Sequence, residues 1–318
     1  MADYRAIKGL YIQNVSSDPS NLVAGDIWYN STLGKVKAYK SGAGAWATGT
    51  ALNTGRSTQA TAGTQTAGLC AGGNADPAPS VSALSEEWNG TAWAEGNNIQ
   101  TTRRSFRGTG TQTAALATGG SPPANGRGDT EEYDGTSWSE QSNLSQVRYL
   151  LGMAGTQTAG LCIGGYAAGV NHVANVEDYD GSSWTAGTNL PTARYSVTGI
   201  GTATAALSLA GTPGYGSESL EYDGSSWTEG GDLPASWAWS HGAGTQTAAI
   251  SAANALCATY NGTAWTEVND LNSPRSEGDG SNAGTTAATS VYGGGDPAPD
   301  AHEEWNDPYN QTVTFTSS

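Results

Sequence analysis

The sequence predicts an all-β fold built from repeated four-stranded units. A GTQTA motif or a close relative of it returns roughly every 45 residues, which is a period typical of propeller repeats. Glycine occupies 45 positions, and Gly, Thr, Ser and Asn interrupt nearly every window, so helix formation is disfavoured. Eleven Trp and fourteen Tyr recur in register with the motif and supply large side chains for a core.

Each repeat predicts four short strands. The first strand ends at the GTQTA turn, and the second carries small apolar residues followed in most repeats by Gly-Gly. In most repeats the third strand ends in an acidic residue and Trp or Tyr. A D-G or N-G turn then leads to a fourth strand with Trp, because Asp-Gly and Asn-Gly favour tight hairpins. The motif begins at Gly63, Gly110, Gly155, Gly201, Gly244 and, in degenerate form, Gly284.

A fixed register joins one repeat to the next. Each fourth-strand Trp is followed after six residues by Ile or Leu and after four more by Arg, with Trp237 as the one exception in place of Arg. The Trp residues are Trp93, Trp138, Trp184, Trp227 and Trp265, and the Arg residues after them are Arg103, Arg148, Arg194 and Arg275.

The same register already begins at Trp46, Leu52 and Arg56, whereas the last repeat lacks a fourth strand. We therefore expect the Trp46 strand to complete the last unit, because stacked sheets that join both chain ends leave no exposed edges. This predicts a six-bladed β-propeller over residues 46–318 and a small β-rich segment over residues 1–45. A seventh, incomplete blade made of DIWYN, KVKAY and AWAT is the competing arrangement.

Residues 52–306 resemble the kelch repeat in three landmarks that recur in order: Gly-Gly after the second strand, Tyr after an acidic residue in the third strand, and Trp in the fourth strand. The leader SSDPSNLVAGDIWYNSTLGKVKAY, running into AWATGTALNTGR, is similar to that of kelch-like virion proteins of marine tailed bacteriophages. This resemblance implies a phage structural protein, assembled in the host cytoplasm and then extracellular. It implies a tail-fibre-like or capsid appendage that holds other virion proteins through its N-terminal segment and presents propeller loops to host-surface glycan or receptor. A purely architectural decoration of capsid or tail is the alternative, and homo-oligomerisation stays open.

Charge is unevenly distributed along the chain. Residues 1–50 contain all four Lys and carry a net charge of +2, whereas the remainder carries eight Arg against 26 acids, or −18. Phosphate binding requires clustered Lys and Arg, so the acidic body argues against nucleic acid as a partner. The sequence has no apolar run long enough to cross a membrane, which predicts no membrane insertion.

The strongest candidate binding residues are the repeated arginines. Arg56, Arg103, Arg148, Arg194 and Arg275 would lie near the mouth of a central channel, where guanidinium groups can bind carboxylate or phosphate. The alternative is that each Arg pairs with a carboxylate of its own blade, such as Glu95, Glu140, Glu229 or Glu267.

Further candidates break the repeat or lie in its variable connections, where a rigid scaffold usually carries specificity. Trp237 and Trp239 with His241 suit stacking against sugar rings or a protein partner, although alternating Trp is also typical of a buried strand face. Candidate loop contacts are Arg127, Tyr166, His172 and Tyr215, and candidate virion-docking residues are Lys8, Tyr11, Trp28 and Tyr29.

Catalysis is not expected from this sequence. The kelch fold also occurs in galactose oxidase, whose copper site uses two Tyr, two His and a Cys joined to Tyr, but His172, His241 and His302 fall in different repeats here. Paired acids such as Glu131 and Glu132 point to opposite faces of a strand. Cys70, Cys162 and Cys257 have no metal-binding spacing, and the first two occupy equivalent positions typical of small core residues. We therefore predict no enzyme activity, no metal and no cofactor.

Overall fold

The structure is a computed structural model that describes residues 12–17, 19, 26–40, 44–76, 80–122, 126–213, 216–237, 239–295, 299–307 and 311–314. Within these ranges all regular secondary structure is β, and there is no helix. The chain forms two compact units, Met1–Gly44 with Asp307–Ser318 and Ala45–Asn306.

The strands are short throughout. The first eleven are β1 (Gln13–Val15), β2 (Ile27–Asn30), β3 (Lys35–Lys40), β4 (Ala45–Thr48), β5 (Arg56–Ser57), β6 (Ala60–Thr64), β7 (Ala67–Ala71), β8 (Asn74–Ala75), β9 (Ser80–Val81), β10 (Ser85–Trp88) and β11 (Trp93–Gly96). The next eleven are β12 (Arg107–Thr111), β13 (Ala114–Thr118), β14 (Thr130–Tyr133), β15 (Trp138–Gln141), β16 (Gly152–Thr156), β17 (Ala159–Ile163), β18 (Tyr166–Ala167), β19 (Asn171–His172), β20 (Val176–Tyr179), β21 (Trp184–Ala186) and β22 (Thr198–Thr202). The last eleven are β23 (Ala205–Leu209), β24 (Ser219–Tyr222), β25 (Trp227–Glu229), β26 (His241–Thr245), β27 (Ala248–Ala253), β28 (Leu256–Tyr260), β29 (Trp265–Val268), β30 (Asp279–Gly280), β31 (Ala288–Tyr292), β32 (His302–Asn306) and β33 (Gln311–Thr314).

The smaller unit contains one four-stranded sheet in the order β1-β2-β3-β33. Strands β2 and β3 are antiparallel, and Lys37 to Lys40 pair with Gln311 to Thr314 of β33. The boundary at the C-terminus therefore differs from the predicted 46–318, because the last strand pairs with the leader rather than with the repeats. A sequence reading could not find this pairing, since β33 carries none of the repeat landmarks.

The larger unit contains six four-stranded antiparallel sheets among its described residues, together with two short ones. We number the six in chain order: sheet 1 (β6, β7, β10, β11), sheet 2 (β12–β15), sheet 3 (β16, β17, β20, β21), sheet 4 (β22–β25), sheet 5 (β26–β29) and sheet 6 (β30, β31, β32, β4). The first strand of each sheet packs against the first strand of the next, and β30 packs against β6. The result is a propeller-like all-β arrangement.

Strand β4 belongs to sheet 6 although it comes from the opposite end of the chain. Trp46 pairs with Trp305 of β32, and the two indole centroids lie 5.4 Å apart. This is the pairing that the Trp–Leu–Arg register predicts. The segments DIWYN and KVKAY contain β2 and β3, which pair with β1 and β33 and not with β4.

The GTQTA motif has two structural roles. Its glycine adopts φ of about +100°, and a Cβ on Gly63 would lie only 2.1 Å from the Ala67 carbonyl oxygen, so the turn requires glycine. Its glutamine ties neighbouring sheets together: Gln112 Nε2 donates to the carbonyl oxygens of Gly68 (3.0 Å) and Trp88 (2.7 Å) of the preceding sheet. Gln65, Gln157 and Gln246 donate in the same way to their preceding sheets.

Sheet 4 lacks this glutamine and has the partly buried Ala203 in its place. We predict that Ala203→Gln raises the free energy of unfolding by about 1 kcal/mol, because the new amide would reach the carbonyls of Gly160 and Tyr179, the equivalents of those that Gln157 binds. Urea unfolding followed by tryptophan fluorescence measures the change. Ala203→Glu is the matched control, since a side chain of the same length without the donor should give no gain.

A ring of left-handed residues lies at the entry to the first strands. Six non-glycine residues, each two positions after the Arg or Trp of the register, have φ between +55° and +59°: Thr58, Ser105, Leu150, Ser196, Trp239 and Glu277. Backbone hydrogen bonds of 2.7 to 2.9 Å connect these residues from sheet to sheet. In each bond the N–H of the first residue donates to the carbonyl oxygen of the second: Thr58 to Glu277, Ser105 to Thr58, Leu150 to Ser105 and Ser196 to Leu150. These inter-sheet bonds offset the cost of a conformation that L-residues rarely adopt.

Candidate functional site

The repeated arginines lie in the interior, each paired with an acid. Four of these acids lie on third strands, whereas the partner of Arg194 is Glu218, the residue just before β24. Arg103 lies 3.1 Å from Glu131 and Arg148 lies 2.8 Å from Glu177, with all four side chains buried. The complete set is Arg56–Glu86, Arg103–Glu131, Arg148–Glu177, Arg194–Glu218 and Arg275–Glu303. This corrects the hypothesis that the five arginines form a ligand-binding ring, because their guanidinium groups are already occupied and closed off from solvent.

The acids that pair with the arginines also differ from the predicted ones. Glu95, Glu140, Glu229 and Glu267 lie on the fourth strands and are exposed. Arg103 shows why the third strand is used: its guanidinium also donates to the Asp129 carbonyl at 2.7 Å and lies 4.8 Å above the Phe106 ring. Each arginine thus joins the entry of the first strand to the connection that precedes the third.

Sheet 5 replaces the ion pair by an apolar contact. Trp237 occupies the Arg position and is 2% exposed, and Ala258 occupies the position of the third-strand acid. Both residues belong to the same hydrophobic cluster. This corrects the prediction of Trp237 as a ligand contact, because the side chain fills the space of the missing pair.

Two histidines are buried as well. Desolvation lowers the pKa of His241 to about 3, and its Nε2 has no hydrogen-bond partner among the described residues. His241 is therefore not the accessible contact that the sequence predicts. His302 lies edge-on to Trp88, with 4.7 Å between ring centroids, and its Nδ1 lies 3.2 Å from the Thr50 carbonyl oxygen.

We predict that stability falls when the solution is acidified below neutral pH. Burial lowers the pKa of His302 from 6.5 to about 4, so between those values the unfolded chain binds more protons than the folded one. Glu304 lies 4.0 Å from Nε2, and the positive charge of Arg275 lowers the pKa further. His302 alone should therefore lower the free energy of unfolding by about 2 kcal/mol between pH 7 and pH 5. Urea unfolding at both pH values should show a smaller loss for His302→Phe than for the wild type, and an equal loss in the two proteins would refute this assignment.

In three sheets the acid directly before the last residue of the third strand accepts a hydrogen bond from a tyrosine of the next sheet. Tyr179 Oη donates to Glu132 at 3.0 Å, and Tyr260 Oη donates to Glu221 at 2.5 Å. Tyr133 donates to Glu87 in the same way. Both acids of the E-E motif therefore serve the scaffold, one within its own sheet and one between sheets.

The chain positions that vary from repeat to repeat meet at one edge of the sheets. In four repeats the residue after the register Arg pairs with the residue that opens the connection between the second and third strands. We call these eight residues the loop face: Ser57 with Asn74, Arg104 with Ser121, Tyr149 with Tyr166, and Tyr195 with Thr212.

Three tyrosines of sheets 3 and 4 form a cluster on the loop face. Tyr149 and Tyr166 have ring centroids 5.1 Å apart, and Tyr166 and Tyr195 have centroids 5.6 Å apart at 89°. All three are partly exposed. Tyr166 Oη donates to Asn171 Oδ1 at 3.0 Å, which holds its ring against the β18–β19 hairpin. We call Tyr149, Tyr166 and Tyr195 the tyrosine cluster.

Arg104 stands at one end of the tyrosine cluster. Leu150 N–H donates to Ser105 O at 2.8 Å, so the residues immediately before them, Tyr149 and Arg104, are neighbours on adjacent sheets. Burial raises the pKa of Tyr149, and Tyr166 and Tyr195 raise it further, whereas the positive charge of Arg104 lowers it. The exposed Arg104 guanidinium donates to Asn74 Oδ1 at 3.1 Å.

The other predicted site residues are distributed as follows. Arg127 is partly exposed and pairs with Asp129, while its Nη1 donates to Pro122 O at 3.1 Å. His172 pairs across the hairpin with Tyr166, and Trp239 is partly exposed within the left-handed ring. In the smaller unit Trp28 is buried, which removes it as a docking contact, and Tyr29 is partly buried. Tyr215, Lys8 and Tyr11 lie outside the described residues.

Sequence reasoning found Tyr166 but missed Tyr149, Tyr195 and Arg104. The signal was available, because these three directly follow Arg148, Arg194 and Arg103 of the register. The residue directly after the register position differs between repeats, whereas the register position itself is Arg in all repeats but one. The six residues that follow it are Ser57, Arg104, Tyr149, Tyr195, Ala238 and Ser276.

In the part of the chain that the structure describes, no group of three or more His, Cys, Asp and Glu side chains is placed to hold a metal ion. The same residues contain no helix of the length and apolar character needed to cross a membrane. No protein-family model matches the sequence, and a comparison with curated proteins finds no significant match.

Proposed function

We propose that this protein is a recognition module of a phage virion, a closed six-bladed kelch-like propeller whose loop face binds the host surface. The leader and repeats that resemble kelch-like virion proteins support the phage origin. Support for six blades comes from the contact of β30 with β6 and the pairing of β4 with β32. No catalytic role is proposed.

The observation that carries this proposal is the tyrosine cluster. The register arginines and the Tyr and Trp residues of the third and fourth strands are engaged in ion pairs, Tyr–Glu bonds and aromatic contacts that recur from sheet to sheet. The cluster follows no such repeat and remains partly exposed on a rigid scaffold. Tyrosine loses little conformational entropy on binding, so such a surface suits recognition.

The smaller unit is proposed to attach the module to other virion proteins. Its described surface exposes the apolar side chains Ile12 (55%), Ile27 (43%) and Leu33 (55%). These three replace Trp28 as the residues expected to contact the particle. Tyr29 remains part of this proposal.

Cysteine labelling on the assembled particle tests whether the loop face is free. The native thiols suit this experiment because burial raises the pKa of Cys70 to about 12, of Cys162 to about 11 and of Cys257 to about 12, so they should resist maleimide. Val170→Cys places a reactive thiol at the tip of the β18–β19 hairpin, where Val170 is 60% exposed. Thr136→Cys, in the β14–β15 turn at the other end of the strands, is the control.

We expect Val170→Cys to react on particles as fast as in the free protein. Protection of this thiol on the particle, with Thr136→Cys still reactive, would show that virion proteins cover the loop face and would favour the architectural role. Labelled wild-type protein should also bind host cells, and Tyr166→Ala should bind them less.

A further inference from the structure

The charge around the tyrosine cluster limits the class of ligand that it can take. The larger unit has eight arginines, and seven of them form ion pairs: Arg56, Arg103, Arg107, Arg127, Arg148, Arg194 and Arg275. Arg104 is the remaining one, and no described carboxylate lies within ion-pairing distance of it. In a body that carries an excess of acids, an exposed arginine that pairs only with the Asn74 amide is available to an anionic group.

Arg104 and the tyrosine cluster form one continuous row. Leu150 N–H donates to Ser105 O at 2.8 Å and Ser196 N–H donates to Leu150 O at 2.7 Å, so the preceding residues Arg104, Tyr149 and Tyr195 follow one another across sheets 2, 3 and 4. Tyr166 lies against both tyrosines. The row therefore offers three aromatic rings with hydroxyl groups and a planar cation at one end.

From this row we infer that the loop face binds an acidic saccharide, with sugar rings on the tyrosine cluster and a sugar carboxylate on Arg104. This inference rests on the proposed function and names its ligand. Aromatic rings stack on the apolar face of a sugar while their hydroxyls bond to its edge, and a guanidinium binds a carboxylate through two parallel hydrogen bonds.

Other ligand classes fit the same row less well. An organic cation would stack on tyrosines, but Arg104 at the end of the row repels it. A nucleic acid would bring one phosphate per nucleotide to a protein whose residues 51–318 carry a net charge of −18, and a single arginine cannot compensate for that repulsion. A saccharide with an isolated carboxylate satisfies both the aromatic rings and the single positive charge.

Paired saccharides test the inference. Wild-type protein, displayed at high density on beads for avidity, is measured against tri-galacturonate and sialyllactose, each beside its carboxyl methyl ester. We expect at least one acid to bind about tenfold more tightly than its ester, because a charge-assisted hydrogen bond is lost in the ester. Arg104→Gln should remove that difference, and Arg104→Lys should restore part of it.

Two controls separate the possible outcomes. Arg127→Gln removes the same charge from a nearby connection and should leave the acid-to-ester ratio unchanged, and Tyr166→Ala should weaken binding of acid and ester alike. If no acid exceeds its ester, or if Arg104→Gln leaves the ratio unchanged, the inference is overturned. Host-cell binding that depends on Tyr166 but not on Arg104 would overturn it while leaving the proposed function intact. If host-cell binding depends on neither Tyr166 nor Arg104, the result contradicts both this inference and the proposed function.

Discussion

Replacing Glu86 by alanine is expected to lower the free energy of unfolding by about 3–5 kcal/mol, because it leaves the Arg56 guanidinium buried without its counter-charge. Arg56 and Glu86 are essentially inaccessible to solvent. Glu86 also accepts the backbone N–H groups of Asn53 (2.7 Å) and Thr54 (3.2 Å), which lose their acceptor in the variant. Urea unfolding followed by tryptophan fluorescence measures the loss.

Glu95→Ala is the matched control, because Glu95 is the exposed cross-strand partner of Glu86 in β10 and β11. It should change stability by no more than about 0.5 kcal/mol. The double variant Arg56→Trp with Glu86→Ala reproduces the combination found in sheet 5 and should cost less than the two single changes added together. Equal losses in Glu86→Ala and Glu95→Ala would contradict the buried ion pair.

Trp46→Ala is expected to destabilise the larger unit by about 3–5 kcal/mol, which is the usual cost of truncating a buried Trp. Trp46 is 7% exposed and packs in one cluster with Trp305, Leu271 and Val291. Because β4 is the strand of sheet 6 that comes from the other end of the chain, its loss should also loosen β32. Hydrogen exchange of the β32 amides, together with urea unfolding, reports both effects.

Ala47→Ser serves as the comparison, since Ala47 lies in the same strand with its side chain exposed. It should leave both the unfolding midpoint and the exchange of β32 close to the wild type. If Trp46→Ala behaves like Ala47→Ser, then β4 does not complete sheet 6 in solution. The proposed closed six-bladed arrangement would then have to be abandoned.

The four-stranded repeats could be predicted because their landmarks are local. The D-G turn is an example: Asp134 Oδ1 accepts the N–H groups of Thr136 and Ser137 at 2.8 and 2.7 Å, so the turn is set within four residues. The Trp46 register likewise predicts a strand that pairs with the last repeat. In contrast, β33 shares no landmark with any repeat, and its pairing with β3 depends on the tertiary arrangement.

The site was less predictable because period-two patterns do not reveal which face of a strand is more deeply buried. Glu131 and Glu132 do occupy opposite faces, but both faces are covered, so Glu131 binds Arg103 and Glu132 binds Tyr179. An arginine that recurs in register fits a binding ring and a buried ion pair equally well. The tyrosine cluster was hidden because its members lie up to 46 positions apart and meet only through the stacking of sheets 3 and 4.

The placement of the ion pairs limits how such repeats can be exchanged by recombination. Each Arg and its acid belong to the same repeat, 24 to 30 positions apart, and in the repeat of sheet 5 both have changed together to Trp237 and Ala258. A crossover just before the register Arg transfers the Arg and its acid together and is expected to yield a folded chimera. A crossover between the Arg and its acid, with the repeat of sheet 5 as the other parent, would leave a buried charge without its counter-charge. The glutamine contacts do not impose this limit, because they bind backbone carbonyls that every neighbouring sheet provides.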